Sequence, residues 1–530
     1  MSESGASAAV AKAGHGPVIE DGEILSWNPR TGEILERIPV TPVEAIPGIV
    51  KEAREAQQSW ETLGFRRRRQ AMQKVAQCFI DNIDEIAERL ARENGKTVYE
   101  AILTEILGTI DFLNWFPKVA SKALKDKKVP LHLVPGARSY LSYSPAGVIG
   151  VIAPWNYPLM TPISDIAPAL AAGNAVVFKP SEYSSGTGKL ILEIFERAGF
   201  PKGVLRAVYG GGDVGAALIG SGVNHIGFTG STPTGKKVMA KAAETLTPVT
   251  LELGGKDPAI VMPDADLDQA ADGILWGGFS NMGQTCASVE RVYIHSSIYD
   301  QFRDRLVERA RGLTCDGSEG SQLGTMNNRL QASKVRDQLE DAEKKGAKVS
   351  FKLDPPEQGF YAPPTILEGL DPEMCVVSEE TFGPIIPLFR YDTETEVVEA
   401  ANDSPFGLTA SVWTRNTSHG ERLARALHAG VVTINDHMIT PGFAEAPWGG
   451  VKQSGIGRIK SEDALRQFSE VKYIYHDNGL LKFKAWRFPY TPGKLRFLKD
   501  LAVAYNDISM TKRVAALIRV LPKFITGVKD

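Results

Sequence analysis

The sequence predicts an α/β fold: a doubly wound parallel sheet, a second α/β block, and a small β element apart from both. Three observations predict it. Between residues 149 and 230, short apolar strand-like runs alternate with helix-like stretches, the βαβ order that builds a parallel sheet. From Val249 to about Val432 the alternation resumes. Two further strand-like runs, 131–151 and 471–475, lie far apart in sequence and suit a separate, exposed sheet.

In chain order, 530 residues exceed what one core serves, so two or three domains are expected. Residues 1–20 are rich in Ala, Ser and Gly without periodicity and read as a disordered leader; no basic then apolar run marks a secretory signal. From 42 to about 125, apolar residues recur at three and four around Val75, Phe79, Ile83, Ile86 and Leu90, which reads as helical. The run Arg66 to Arg69 reads as a solvated helix start rather than a phosphate patch. Strands are then expected at 148–153, 175–179, 205–209 and 225–229, with helices at 162–172, 186–198 and 214–219. The second block is expected to open with a strand at 249–253 and to add strands at 259–261, 291–295 and 385–391 and helices at 298–311 and 330–345. A loop-rich piece spans 435–459.

Composition excludes several classes. A net charge of -3 gives no reason to invoke nucleic acid. The four cysteines are widely spaced and form no CxxC pair, so neither a metal site nor a disulfide framework is indicated, and a reducing, cytoplasmic setting is the default. No segment reaches the length of a membrane span.

Five short stretches carry chemistry. Gly-Gln-Thr-Cys at 283–286 places Cys286 after a glycine-rich turn, where backbone N–H groups could stabilise a thiolate and an oxyanion; a lone cysteine is otherwise a small core residue. Pro-Trp-Asn-Tyr-Pro at 154–158 holds Asn156 between two prolines, as an oxyanion donor or a helix cap. Lys179-Pro180-Ser181-Glu182 ends a strand with a carboxylate able to accept adenosine-ribose hydroxyls, or with a simple ion pair. Phe228-Thr229-Gly230-Ser231 turns a strand into a helix start fit for pyrophosphate. Upstream, Gly210 to Gly215 matches GxGxxG weakly, since no acidic residue follows at the required distance. Glu252-Leu253-Gly254-Gly255-Lys256 offers a carboxylate for activating water.

Together with Glu-Glu-Thr-Phe-Gly-Pro at 379–384 and the Pro447 to Arg458 run PWGGVKQSGIGR, these stretches resemble the aldehyde dehydrogenase superfamily over about residues 20–476. The resemblance implies Cys286 as nucleophile, Glu252 as general base, and Asn156 with the Cys286 N–H as oxyanion donors. It implies NAD, with NADP possible, contacted by Lys179 and Glu182 at the adenosine ribose and by Gly230 and Ser231 at the pyrophosphate. Trp155, Gly211, Gly215, Phe228, Thr229, Leu253 and Gly254 would line the cleft, and Glu380 and Phe382 the nicotinamide ribose and ring. No metal is implied. The domains implied are a leader to 20, an NAD-binding domain over 21–248 with oligomerisation strands near 131–147, and a catalytic domain over 249–450. A return to the cofactor domain over 451–480 and an extension over 481–530 complete the chain. A homodimer or homotetramer is implied.

An apolar pocket wall is expected from Trp276, Phe279, Phe443 and the loop 438–446, which favours aliphatic or aromatic aldehydes; a succinate-semialdehyde type stays open. The glutamate at 252 argues for hydrolysis rather than transfer of the acyl group to coenzyme A. Residues 481–530 hold eleven basic residues against three acidic ones. Within them Val514, Leu517, Ile518, Leu521 and Ile525 follow helical spacing, interrupted at Pro522. Such a helix lies on an anionic membrane and serves long-chain aldehydes, or packs on the protein's own acidic surface.

Overall fold

Val148–Ile152 and Ala175–Lys179 are buried along their whole length, as parallel strands covered by helices on both faces must be. The computed structural model describes residues 19–131, 137–315, 320–479 and 483–526. In it these two strands are central to a six-stranded sheet. Its order is Gly455–Ile456, Val249–Glu252, His225–Thr229, Val148–Ile152, Ala175–Lys179, Leu205–Ala207. All neighbours pair in parallel except the edge strand Gly455–Ile456. The chain leaves Val148–Ile152 towards one edge and returns to build the other side. The order therefore reverses between Val148–Ile152 and His225–Thr229, the place where doubly wound sheets take ligands. The helices Met160–Ala172, Ser185–Arg197 and Gly212–Gly220 lie within two residues of their expected positions.

One expected boundary is corrected. The strand at 249 was expected to open the second block; instead Val249–Glu252 pairs with His225–Thr229 and belongs to the first sheet. The crossing comes immediately after it, through Gly254 and Gly255, and the second sheet starts at Asp257–Val261. That sheet has seven strands, ordered Lys348–Lys352, Thr365–Glu368, Ile385–Tyr391, Val289–His295, Asp257–Val261, Thr409–Trp413, Val431–Ile434. The helices Leu267–Phe279, Tyr299–Ala310 and Arg329–Lys344 cover it, and their buried faces form one core with its strands.

The early helical region is found as Ile46–Thr62, Gly64–Asp81, Ile83–Asn94 and Leu107–Ala123. Arg68 departs from the solvated reading of its cluster. It is buried, donates to the carbonyls of Ala171 and Glu61, and lies over the Phe65 ring. The leader expectation falls outside the described residues up to 18; Ile19–Glu20, placed within it, is a strand paired with Glu23–Trp27.

The chain divides into two units. The site described below lies wholly in the larger, made of the described residues to Ala123 and of Pro145–Glu470. The smaller combines Leu124–Ser144 with the chain from Val471 onward. It contains the sheet ordered Ser469–His476, Arg138–Pro145, Lys127–Lys128, so the two distant strand-like runs are direct neighbours. Val471, Tyr473 and Tyr475 are exposed. The extension forms the helices Pro492–Asn506 and Met510–Thr526. The second buries Ala516 and Val520, with Val520 clustered with Ala485 and Phe497, while Val514, Ile518 and Leu521 face outward. Of the stripe expected to lie on a membrane or on the protein's own surface, Val514, Ile518 and Leu521 are exposed. The Ile525 side chain lies outside the described ones.

Candidate active site

A cavity of about 710 Å³ opens at the switch point of the six-stranded sheet. It is walled by Pro154, Trp155, Asn156, Thr229, Gly230, Ser231, Glu252, Leu253, Gly254, Cys286, Glu380 and Phe382, all from the chemically loaded stretches. The nucleophile candidate arrives on an unusual turn. Asn281, Met282 and Gly283 carry φ of 51°, 55° and 67°; each non-glycine residue there costs about 1–3 kcal/mol and needs outside support. The support is visible: Asn281 N–H donates to Glu100 Oε1 at 2.7 Å, and Gln284 Oε1 accepts from Asn327 N–H at 2.8 Å. Gly283 is required, because a Cβ there would lie 2.3 Å from the Gly383 carbonyl.

Cys286 is held neutral at rest. Burial pushes its thiol up to about 12, and the carboxylates of Asp257, Glu252 and Glu380 push the same way; Lys460 opposes them. Attack by this sulfur therefore requires a base or a nearby positive charge. Glu252 is also buried, and neither carboxylate oxygen has a hydrogen-bond partner among the described residues. Burial raises its pKa well above the usual carboxylate value, Asp165 adds to the rise, and Lys460 and Arg458 counter it. Gly449 leaves it room: a Cβ at that position would sit 2.8 Å from Glu252 Oε1.

Asn156 is held by its own turn. Its Nδ2 donates to the Gln284 carbonyl at 3.0 Å, and an amide nitrogen carries a second hydrogen, which has no partner among the described residues. Its carbonyl accepts from Lys96 Nζ at 3.1 Å and Asn281 Nδ2 at 3.0 Å. Lys96 is buried, pairs with Glu105 at 2.5 Å and lies 4.2 Å from the Tyr157 ring centre. The other Glu105 oxygen accepts from the Leu159 and Met160 N–H groups, at the start of the helix Met160–Ala172. Sequence reasoning missed this pair, since neither residue belongs to a motif.

The cofactor side fits a dinucleotide in three respects. The helix Thr232–Ala243 starts at the cavity, and its N-cap Ser231 makes no side-chain capping bond, so its first-turn N–H groups are left without a side-chain cap. Thr229 Oγ1 is buried beside it without a hydrogen-bond partner among the described residues. The Gly254 backbone passes so close to Glu380 that a Cβ would meet its carboxylate at 2.5 Å. Glu380 accepts from Gly255 N–H at 3.0 Å; burial and Glu290 raise its pKa to about 7. Glu290 in turn accepts from the Thr381 and Phe382 N–H groups, and Phe382 meets Trp155 edge-on at 5.5 Å.

Other expected contacts stand outside the cavity wall. Lys179 is buried and pairs with Glu182 at 3.2 Å, so the ion-pair reading of that stretch is correct as geometry. The Glu182 carboxylate is still 24% exposed and open to a further partner. Gly211 is the N-cap of Gly212–Gly220, Gly215 lies in that helix packed near Lys179, and the Phe228 ring is buried under Gly230. Phe279 is corrected: it is buried in the large core of the second sheet rather than in the pocket wall, because its side of the helix Leu267–Phe279 faces that sheet. Trp276 and the loop residues Met438, Ile439, Pro441, Gly442 and Phe443 do line the cavity. So do Trp448, from the Pro447 to Arg458 run, and Leu103, Leu107, Met160 and Lys460, none of which sequence reasoning singled out.

Comparison with known proteins bears on this geometry. The profile of the aldehyde dehydrogenase family matches residues 19–474. The 4,4'-diapolycopene aldehyde oxidase of a Methylomonas species is 36% identical over 494 residues, 92% of this chain and 93% of that protein. The glutarate-semialdehyde dehydrogenase of Pseudomonas putida is 36% identical over 453 residues, 84% of this chain and 93% of that protein. The NAD+ complex of an aldehyde dehydrogenase from Bacillus cereus superposes with a TM-score of 0.82 at 34% identity, covering 86% of this chain and 93% of that one.

Proposed function

Because the chain belongs to the aldehyde dehydrogenase family of oxidoreductases acting on aldehydes, we propose that it oxidises an apolar aldehyde to the carboxylic acid with NAD+, with Cys286 as nucleophile and Glu252 as the base for water. The observation that carries this reading is the meeting of Cys286, Asn156 and a Glu252 with two unpartnered oxygens on one cavity. The Cys286 sulfur adds to the aldehyde carbon, forming a thiohemiacetal. Its oxyanion takes a hydrogen bond from Asn156 Nδ2, a contact worth several kcal/mol when it forms only as the charge develops, about 3–4 in comparable sites. NAD+, when bound, supplies the hydride acceptor. The resulting thioester on Cys286 is hydrolysed by water that gives its proton to Glu252. Ser231 and the first N–H groups of Thr232–Ala243 would hold the pyrophosphate, Glu182 the adenosine ribose, and Glu380 the nicotinamide ribose.

The apolar class follows from the walls. Leu107, Met160 and Trp276 line the chamber, and Leu103, Ile439 and Phe443 line it while remaining 40%, 45% and 44% exposed. An apolar rim of this kind suits a substrate longer than the chamber is deep. The named substrate of the Methylomonas relative supports a large apolar aldehyde. The Pseudomonas putida relative keeps a semialdehyde as the alternative. A panel of linear aldehydes followed by NADH absorbance decides between them. The expected kcat/KM rises with chain length, by about fourfold per added methylene that the pocket buries, given ~0.8 kcal/mol per buried CH₂. A preference for glutarate or succinate semialdehyde over neutral aldehydes of equal length would overturn the apolar assignment.

A further inference from the structure

Two lysines line the cavity among the described residues, and they serve different ends of it. Lys334 donates to the Glu380 carbonyl at 2.7 Å, on the cofactor side. Lys460 stands on the chemical side: its charge acts on Glu252, Cys286 and Asp165. It is buried, its ammonium donates to the Pro441 carbonyl, and it lies 4.9 Å from the Trp448 ring centre and 5.5 Å from that of Phe112. Its backbone is held at φ 64°, ψ -175°, a conformation essentially reserved for glycine. A lysine kept in a glycine conformation, with its ammonium among rings and one carbonyl, has no evident packing reason to be there. Asp165, on the helix Met160–Ala172, is equally buried, and its Oδ1 has no hydrogen-bond partner among the described residues.

We propose that Lys460 is a positioning residue for the general base: its ammonium, on the same cavity wall as Glu252 and working against the neighbouring carboxylate of Asp165, favours the ionised form of Glu252. The inference rests on the reading of Glu252 as the base for water. In that step the water oxygen bonds to the thioester carbon and its proton passes to Glu252. The carbon–sulfur bond breaks, and its electron pair leaves on the Cys286 sulfur. A protonated Glu252 cannot take the proton, so its ionisation sets the acid limb of turnover. The charges facing Glu252 are Asp165, Lys460 and Arg458; those facing Lys460 are Glu252, Cys286 and Asp165. Burial brings Lys460 down to about 8 and Asp165 up to about 7, so both are in play near neutral pH.

The test is the pH profile of steady-state kcat, with aldehyde saturating, for the wild type, E252Q, K460M, K460R and D165N. The expected result is an acid limb that E252Q abolishes. K460M moves it to higher pH by about one unit or more, K460R restores it, and D165N moves it to lower pH. The size of the pre-steady-state NADH burst is expected to be retained in K460M at pH above its displaced limb. A role in packing alone would lower kcat at every pH without displacing the limb, and the K460M and D165N shifts would not have opposite signs. A limb lost in E252Q but unmoved in K460M overturns the inference and leaves Glu252 as base. A limb unchanged in E252Q overturns both. Should K460M fail to fold, the D165N shift still decides: an unmoved or upward-moved limb contradicts the proposal.

Discussion

Burial disfavours the charged forms of both Cys286 and Glu252, which are the reactive ones, and at both sites Lys460 works the other way. Glu182 raises a different question, that of cofactor choice. Its exposed carboxylate, tied to Lys179 at 3.2 Å, is set to accept ribose hydroxyls and to repel a 2′-phosphate. Glu182→Gln is expected to narrow the preference for NAD+ over NADP+ by about tenfold, since removal of one charge repulsion of ~1.4 kcal/mol is a factor of ten. Initial rates with both cofactors measure it, and a wild type equally efficient with both would contradict the assignment. The placing of the motif residues was legible: Asn156, Glu252, Cys286 and Glu380 all reach the cavity. Lys460 was not legible, because the residues beside it, Ile459 and Ser461, give no signal and its importance lies in a φ angle. Lys96 and Glu105, nine residues apart, were likewise invisible until the π-helical turn Ile102–Ile106 put the acid beneath the Pro-Trp-Asn-Tyr-Pro turn.

Elements were legible by periodicity, but their partners were not. The run at 249 reads as a strand either way; only pairing decides between sheets, and the register Val249 to Ile226 through Glu252 to Thr229 puts it in the first. The same register sets Glu252 beside Thr229, which is why Glu252 and the helix start at Ser231 share one cavity. The last helix shows the limit of counting. Its sequence offers two apolar faces, and the small side of Ala516 with Val520 packs, leaving Val514, Ile518 and Leu521 exposed at 48%, 67% and 58%. Lys512, Arg519 and Lys523 flank this outward stripe in sequence, and Leu495 and Leu498 on the preceding helix are exposed as well. An apolar stripe edged with cations matches an anionic lipid surface, although no described helix is long and apolar enough to cross a membrane. Co-sedimentation with phosphatidylserine-containing vesicles is expected to pellet the full chain and not a truncation after Asn478, with binding weakened by salt. Both forms remaining in the supernatant would contradict the reading and leave the stripe to another protein surface.

For the whole molecule, two sheets divide the labour. The first presents a switch point with a helix start for an anionic cofactor, and the second contributes the thiol through the segment between Leu267–Phe279 and Val289–His295. The smaller unit leaves Val471, Tyr473 and Tyr475 exposed on a strand at the edge of its sheet, where the expected second copy would pair. All of this serves one chemical claim, that an acyl group is carried on Cys286 and released by water activated at Glu252. The direct measurement is intact-protein mass after mixing the Glu252→Gln variant with NAD+ and an aldehyde. The account predicts one NADH per active site and a stable mass gain equal to the acyl group, located on the peptide containing Cys286. It predicts neither in Cys286→Ala. NADH formation by Glu252→Gln without an adduct, or an adduct on any other residue, would contradict it.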